Sequence, residues 1–185
     1  LYDISNLKTG MFNVINANFM FDYSVITVVP QQFFQSTSDL RSTCEGTFLN
    51  CTNLQRAYNI FLSSFSPSTV KRMFQGCTSL TRCYFGMTAR TVNNSRGIYS
   101  LNSECGALTI TDYTNCFENC TSLSDVAITI DSTEGISLWN LDQDASRDAQ
   151  RRKWFDNYPS GLQTSGCFRN TKASTTRPGM PSSWK

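Results

Sequence analysis

A short apolar motif recurs three times in the chain and constrains its fold more than any other feature. The motif reads Phe-x-(Asn/Gly)-Cys-Thr-(Ser/Asn)-Leu and occupies residues 48–54, 74–80 and 117–123. Its final Leu residues are 26 (80 − 54) and then 43 (123 − 80) positions apart. Periods in the twenties are typical of solenoids, because so short a unit buries its apolar face by stacking on its neighbours. The sequence therefore predicts a repeat solenoid.

Weaker copies of the motif extend the repeat in both directions. Residues 101–109 keep Cys-x-x-Leu-Thr with Asn102 in the Phe position, and residues 19–27 place Ser24 in the Cys position. Residues 34–40 have the Phe-to-Leu spacing alone, and residues 166–171 resemble the third copy.

The interruption of the repeat divides the chain into three parts. We predict a repeat solenoid over residues 1–136, an inserted helix and turn over residues 137–163, and a degenerate capping repeat over residues 164–185. Within the insert, residues 142–155 place small or apolar side chains four apart, with acidic residues early and basic residues late. That charge order suits a helix dipole, so these residues are expected to form one helix.

The motif positions predict three internal ladders. Equivalent residues of paired strands lie about 4.8 Å apart, so each side chain packs on its counterpart in the next repeat. A free thiol suits such a position because it is a small hydrophobe whose S–H reaches a backbone carbonyl. The motif Asn or Gly fits a turn that needs either a left-handed backbone or a side-chain-to-backbone bond, and the Thr and Ser that follow supply similar local bonds. The predicted ladder residues are Phe48, Cys51, Leu54, Phe74, Cys77, Leu80, Phe117, Cys120 and Leu123.

A short strand is predicted after each motif Leu. Residues 123–130 alternate from Val126 onward, and residues 80–85 follow the same scheme, so Cys83 takes the place of Val126 and is expected to point inward. The fold class is thus one short strand per repeat, with an irregular or short helical convex side and one C-terminal helix and cap.

Four outward positions of these strands form a candidate binding patch: Arg56, Tyr58, Arg82 and Tyr84. Gln55 directly precedes Arg56, and Thr81 directly precedes Arg82; both are also expected to point outward. The second Arg and Tyr follow the first by 26 residues, the repeat interval, so strands in register gather them into a small grid. Arg and Tyr dominate interface hot spots and stack on flat or sugar-like faces. The alternative is that they are ordinary solvent-facing strand residues.

The eight cysteines admit three interpretations. Buried thiols are expected at the ladder or inward positions Cys51, Cys77, Cys83, Cys105 and Cys120. Disulfides are the alternative for Cys44, Cys116 and Cys167, which lie outside or beside the ladders. Zinc is disfavoured because the chain has no Cys-x-x-Cys pair. A largely reduced set favours assembly in a cytoplasm over secretion.

Composition argues against several functional classes. The chain has no histidine, which excludes Ser-His-Asp centres and His-containing metal sites. Charged residues are 16% of the chain and its pI is about 8.2, too mild for a nucleic-acid footprint. No apolar run approaches the roughly 18 residues of a membrane span. We therefore predict no catalytic residues, no metal, no cofactor, no nucleic acid and no membrane span.

Residues 73–81, Met-Phe-Gln-Gly-Cys-Thr-Ser-Leu-Thr, and their siblings resemble the BspA-like leucine-rich repeats. The resemblance covers residues 16–130 and, more weakly, residues 164–185, whose Pro-x-x-Trp-Lys ending is similar to the close of such arrays. The family occurs in surface proteins of Bacteroidetes and protists and in virion proteins of phages that infect gut Bacteroidetes. It implies a recognition or adhesion module whose strand ladder forms a binding surface.

Three functions follow from the resemblance as expectations. The first is a fibre or decoration protein on a phage virion surface that binds a host surface or gut glycans. The second is an extracellular adhesin on a bacterial or protist cell. The third is a purely structural virion subunit whose repeat face is covered by other subunits or by copies of the chain. The expected partner is accordingly a protein or glycan surface.

Overall fold

Short strands and tight turns make up most of the secondary structure in the computed structural model, which describes residues 11–12, 14–30, 33–35, 40–58, 60, 65–84, 90–91, 99–100, 110–127, 161–176, 180 and 182–185. The strands in these residues are β1 Met11–Phe12, β2 Val28–Val29, β3 Phe34–Gln35, β4 Leu40–Thr43, β5 Arg56–Tyr58, β6 Phe65–Thr69, β7 Arg82–Tyr84, β8 Arg90–Thr91, β9 Tyr99–Ser100 and β10 Asp125–Ala127. Helix α1 spans Lys172–Thr176, and a 3-10 helix spans Ser182–Trp184. The helix predicted over residues 142–155 and the motif copy around Cys105 lie outside the described residues.

Five turns of equal length stack on one another along the molecule. They comprise residues 17–24, 44–51, 70–77, 113–120 and 164–171, and we number layers 1 to 5 after them. Alternate N–H groups of each turn donate to carbonyl oxygens of the next turn. The N–H of Phe48 donates to Met73 at 2.9 Å, and the N–H of Phe74 donates to Cys116 at 2.9 Å. Main-chain bonds therefore join the layers and satisfy the polar groups that tight turns would otherwise leave unpaired.

Two residues of each turn, four positions apart, have a left-handed backbone. These residues are Phe19 and Tyr23, Gly46 and Asn50, Arg72 and Gly76, Asn115 and Asn119, and Gly166 and Asn170. Gly and Asn adopt this conformation at the least cost. The motif residue before the cysteine has φ 56° in Asn50 and 77° in Gly76. Of the two turn requirements predicted from the motif, the left-handed backbone is confirmed.

The strands that follow the motif Leu pair in one parallel sheet, in the order β10-β7-β5-β2. Its register aligns Val29 with Ala57, Ala57 with Cys83, and Cys83 with Val126. Cys83 is fully buried. Its predicted inward position in register with Val126 is therefore confirmed.

A second line of parallel pairing runs along the start of the turns. Strand β4 pairs with β6, and isolated bridges continue this pairing through Asn16, Thr43, Thr69, Asp112 and Gln163. Strand β1 pairs with β3 in parallel, and β8 pairs with β9 in antiparallel fashion. Because Phe34 lies in β3 and Leu40 opens β4, the Phe-to-Leu spacing of residues 34–40 marks two strands and not another copy of the turn.

Stacked phenyl rings run through the interior from layer 1 to layer 5. The ring centroids are 5.4 Å apart for Phe21–Phe48, 5.4 Å for Phe48–Phe74, 5.6 Å for Phe74–Phe117 and 5.3 Å for Phe117–Phe168. Such stacks stabilise by about 0.5–1.5 kcal/mol per pair beyond burial of their area. All nine ladder residues named from the motif are fully buried.

The cysteines outside the motif are interior residues as well. Cys116 and Cys167 directly precede the stacked Phe117 and Phe168. The equivalent position is occupied by Thr47 in layer 2 and by Met73 in layer 3. All of these side chains are buried. Cys44 is buried at the first position of its turn. All three are free thiols, so the structure does not contain the disulfides that were the alternative for Cys44, Cys116 and Cys167. The interior holds more rows of small and apolar side chains than the three motif ladders.

A tryptophan closes the C-terminal end of the stack. Trp184 packs on Phe168 with ring centroids 5.9 Å apart, and its carbonyl accepts the N–H of Phe168 at 2.7 Å. Met180 and Trp184 are both buried. The residues that the structure describes contain no helix of the length and apolarity that a bilayer crossing requires.

Candidate binding surface

The four-stranded sheet brings Arg56 and Arg82 side by side. Strands β5 and β7 align these two residues, and both side chains are exposed. The next residues, Ala57 and Cys83, are buried, because successive side chains of a strand point to opposite faces. Paired strands lie about 4.8 Å apart, so the two guanidinium groups extend from neighbouring backbone positions.

Tyr58 and Tyr84 also occupy a register pair, two residues beyond the arginines. They are the last residues of β5 and β7, and the parallel pairing aligns them with each other. The backbone therefore brings together the four positions of the predicted grid on two adjacent strands.

The residues aligned with the arginines differ on the two sides. Val28 of β2 is in register with Arg56, and Asp125 of β10 is in register with Arg82. Like charges directly opposite each other weaken a sheet, by up to about 1 kcal/mol per pair. The register row Val28–Arg56–Arg82–Asp125 therefore contains two basic residues and one acidic residue.

Gln55 and Thr81 precede the arginines and are exposed. The Thr81 N–H and hydroxyl both donate to the carbonyl of Gln55, at 3.0 and 3.1 Å. The hydroxyl therefore helps to hold β5 and β7 in register, which is the use that short polar side chains often have beside a turn.

A second polar cluster, which the sequence did not reveal, lies on the turns of layers 3 to 5. Arg72 donates to Gln75 at 2.8 Å, Gln75 donates to Glu118 at 2.6 Å, and Arg169 donates to Glu118 at 2.9 Å. Gln75, Glu118 and Arg169 all follow the Phe of their copies, so comparing this variable position across copies would have found them. The Glu118 carboxylate accepts two donors within this cluster.

The motif thiols serve as hydrogen-bond donors between layers. Cys51 donates to the carbonyl of Phe21 at 3.0 Å, Cys77 donates to Phe48 at 3.0 Å, and Cys120 donates to Phe74 at 2.9 Å. The predicted bond from a ladder thiol to a backbone carbonyl is confirmed.

The interior thiols stay protonated at neutral pH. Burial raises the pKa of Cys44 to about 12 and the pKa values of Cys77, Cys83, Cys116 and Cys167 well above the ordinary thiol value. The nucleophile and metal ligand is the thiolate, which these groups do not offer. In the described part of the chain, no group of three or more Cys, Asp or Glu side chains is placed to hold a metal ion.

The chain was compared with known protein families, curated proteins and solved structures. None of the protein-family models, curated proteins or solved structures compared with the chain matches it. A functional assignment therefore depends on the motif, the stacked layers and the exposed residues of the sheet.

Proposed function

We propose that the chain is a BspA-like leucine-rich-repeat solenoid that serves as a non-enzymatic recognition module on the surface of a phage virion. As a fibre or decoration protein, it binds a host surface or gut glycans through the outward face of β5 and β7. The observation that carries this proposal is the pair of exposed arginines, Arg56 and Arg82, aligned on neighbouring strands.

The chemistry of these side chains suits glycan and protein surfaces. A guanidinium group is planar, carries five N–H donors and stacks on flat faces, so it binds carboxylates and hydroxyls with defined geometry. Tyrosines at the adjoining register pair, Tyr58 and Tyr84, add the residue type that is most enriched with Arg in binding hot spots. Fully buried Ala57 and Cys83 hold the strands against the core and fix the spacing between the arginines.

The test is binding of the labelled chain to whole cells of gut Bacteroidetes and to an array of gut glycans. We expect the double variant Arg56→Ala/Arg82→Ala to lose about 30-fold in affinity, the effect of removing hot-spot residues. Its melting temperature is expected to stay unchanged, because both side chains are exposed. Lys172→Ala removes an exposed cation from α1 and is the matched control, with binding unchanged.

Two results would contradict the proposal. Equal binding by the double variant and the parent chain would exclude the arginines from the surface. Absence of any cell or glycan binding, together with assembly of the chain into particles that the double variant prevents, would favour the structural virion subunit.

A further inference from the structure

The two ends of the stack differ in how they are covered. At the C-terminal end, Trp184 packs on Phe168 and accepts its N–H. At the other end, the turn of layer 1, residues 17–24, is the first of the five stacked turns. We call the side of this turn that faces away from layer 2 the N-terminal edge.

Three carbonyl groups at the N-terminal edge accept no N–H from the residues that the structure describes. In layers 2 to 5, the carbonyls at the second, fourth and sixth positions of the turn accept N–H groups from the preceding layer, as Glu45, Thr47 and Leu49 do from layer 1. The equivalent carbonyls of layer 1 belong to Asn18, Met20 and Asp22. Within the described part of the chain, no N–H donates to them.

The same turn has no spare N–H to offer. Four N–H groups donate to Thr43 or to layer 2: those of Ala17, Phe19, Phe21 and Tyr23. Three donate within the turn: those of Met20, Asp22 and Ser24. The N–H of Asn18 donates to the side chain of Asn16. The Oδ1 of Asp22 is a further buried acceptor without a partner among the described residues. The N-terminal edge is therefore a row of acceptors, and its complement is a row of donors at alternate residues.

Exposed apolar side chains lie in and beside the same turn. Among the described residues, the large apolar side chains with high exposure all lie within residues 15–25, in or next to the turn of layer 1: Ile15, Phe19, Met20, Tyr23 and Val25. Tyr23 is 67% exposed and Phe19 is 44% exposed. A cluster of this kind on one end of a molecule marks an interaction site.

Among the described residues that are neither Gly nor Asn, a left-handed backbone occurs at Phe19, Tyr23 and Arg72, and the first two belong to this turn. Phe19 and Tyr23 both have a φ of 54°, at positions where layers 2, 4 and 5 use Gly or Asn. A left-handed backbone costs a residue with a Cβ about 1–2 kcal/mol. Strain that persists at exposed residues points to a function for their side chains.

We propose that the N-terminal edge binds a segment of a second polypeptide, which adds one further layer to the stack. The segment donates alternate main-chain N–H groups to Asn18, Met20 and Asp22 and covers Phe19 and Tyr23 with apolar side chains. This is addition of a chain to an open edge by main-chain pairing, with side-chain contacts for specificity.

The acceptor row selects the occupant. A second copy of the chain that approached with the same edge would place carbonyls against carbonyls. A second copy that approached with its other end would meet Trp184, which covers Phe168 there. A peptide segment in the turn conformation of layer 2 has the required donors, because its N–H groups already bond layer 3 from Gly46, Phe48 and Asn50 at 2.8–2.9 Å.

The probe is a synthetic peptide with the sequence of residues 42–55, in which Ser replaces both cysteines. The matched control peptide has ester bonds in place of the amides of Gly46, Phe48 and Asn50, which removes three donors and keeps the side chains. We expect saturable binding of the amide peptide to the full chain by fluorescence anisotropy, and at least about tenfold weaker binding of the ester peptide, since each lost donor weakens the complex.

A protein variant separates binding from folding. Tyr23→Asn puts Asn at the left-handed position, as in layers 2, 4 and 5, so its stability is expected to equal or exceed that of the parent while peptide affinity falls about tenfold. Thr78→Ala changes an exposed residue of layer 3 and is expected to leave affinity unchanged. Equal binding of the amide and ester peptides, unchanged binding by Tyr23→Asn, or no binding at about 1 mM peptide would overturn the proposal. Self-association of the chain that Tyr23→Asn abolishes would instead identify a second copy as the occupant.

Discussion

At the scale of single residues, the left-handed position before the motif cysteine limits which side chain a turn accepts. Gly76 has a φ of 77° there, and a Cβ at this position would collide with the Oδ1 of Asn50 in the preceding layer. Gly161 has a φ of 89°, but a Cβ there would meet no atom within 4 Å. A side chain at Gly161 would therefore meet backbone strain alone, whereas a side chain at Gly76 would meet both backbone strain and a steric clash with the preceding layer.

Replacing each glycine by alanine is expected to give different losses of stability. Gly161→Ala should lower the free energy of unfolding by about 1–2 kcal/mol, the cost of a left-handed residue with a Cβ. Gly76→Ala carries that cost and the collision with Asn50, so we expect a loss at least about 1 kcal/mol larger. Urea denaturation of the two variants measures the difference.

The control for this prediction is removal of the colliding atom. Asn50→Gly keeps a residue that tolerates a φ of 56° and deletes the side-chain oxygen. In the double variant Asn50→Gly/Gly76→Ala, the alanine should cost no more than it does at position 161. If Gly76→Ala and Gly161→Ala lowered the free energy of unfolding equally, the Asn50 side chain would move aside at no cost in stability, which would contradict the prediction.

At the scale of elements, the stacked phenyl rings couple each turn to the next. Phe74 is fully buried and stacks on Phe48 and Phe117 at 5.4 and 5.6 Å, whereas the partly buried Phe21 ends the ladder and stacks on Phe48 at 5.4 Å. We expect Phe74→Ala to destabilise the chain by about 3–5 kcal/mol and Phe21→Ala by about half as much. Urea denaturation measures both losses.

Hydrogen exchange locates the loss along the stack. In Phe74→Ala, the amides of Phe48 and Gly76, which bond across the layers on either side, should exchange faster than the amide of Phe117. Equal losses of stability for Phe21→Ala and Phe74→Ala would contradict a ladder whose interior members carry two contacts each.

The repeat motif predicts the turns and the strands that follow them only where the sequence contains one of its three clear copies. The buried rows of Phe, Cys and Leu, the left-handed Asn or Gly, and the register of Cys83 with Val126 all follow from residues 48–54, 74–80 and 117–123. The prediction succeeds there because each motif position has the same surroundings in every copy, either a buried row or a left-handed turn, and the sequence repeats a side chain that fits those surroundings.

Other contacts escape the motif because distant residues make them. Phe117 and Phe168 stack although 51 positions separate them (168 − 117), and the Trp184 that closes the stack belongs to no copy of the motif. Cys116 and Cys167 share a buried row that becomes visible once these two layers are placed together. The exposed Arg56 and Arg82 were predictable because the interval of 26 residues is also the strand register.

At the scale of the whole molecule, buried thiols tie stability to alkaline pH. Burial raises the pKa of Cys44 to about 12 and those of four further cysteines well above the ordinary value, and a hydrogen bond with Cys77 together with burial raises that of Cys51. The folded chain thus prefers neutral thiols, whereas the unfolded chain ionises them above about pH 8.5. Their contribution is fully present below that pH and is lost as the pH rises towards the folded values.

The expected result is a steep loss of stability just above the pKa of an unfolded thiol. Each protected thiol lowers the free energy of unfolding by about 1.4 kcal/mol per pH unit there, so six of them lower it by about 8 kcal/mol per unit. A domain is stable by about 5–15 kcal/mol, which places unfolding at about pH 9–10.3. Urea denaturation from pH 7 to 9.5 under a reductant measures the slope.

One cysteine offers a control that leaves the packing in place. Cys83 lies in register with Ala57 and Val126, so valine at this position matches its neighbours in size and polarity. Cys83→Val should keep its stability at pH 7 within about 1.5 kcal/mol of the parent and reduce the slope above pH 8.5 by about 1.4 kcal/mol per unit. All other residues are the same in both proteins, so the difference between the slopes isolates this thiol. A slope that Cys83→Val leaves unchanged would mean that the Cys83 thiol ionises in the folded chain as readily as in water.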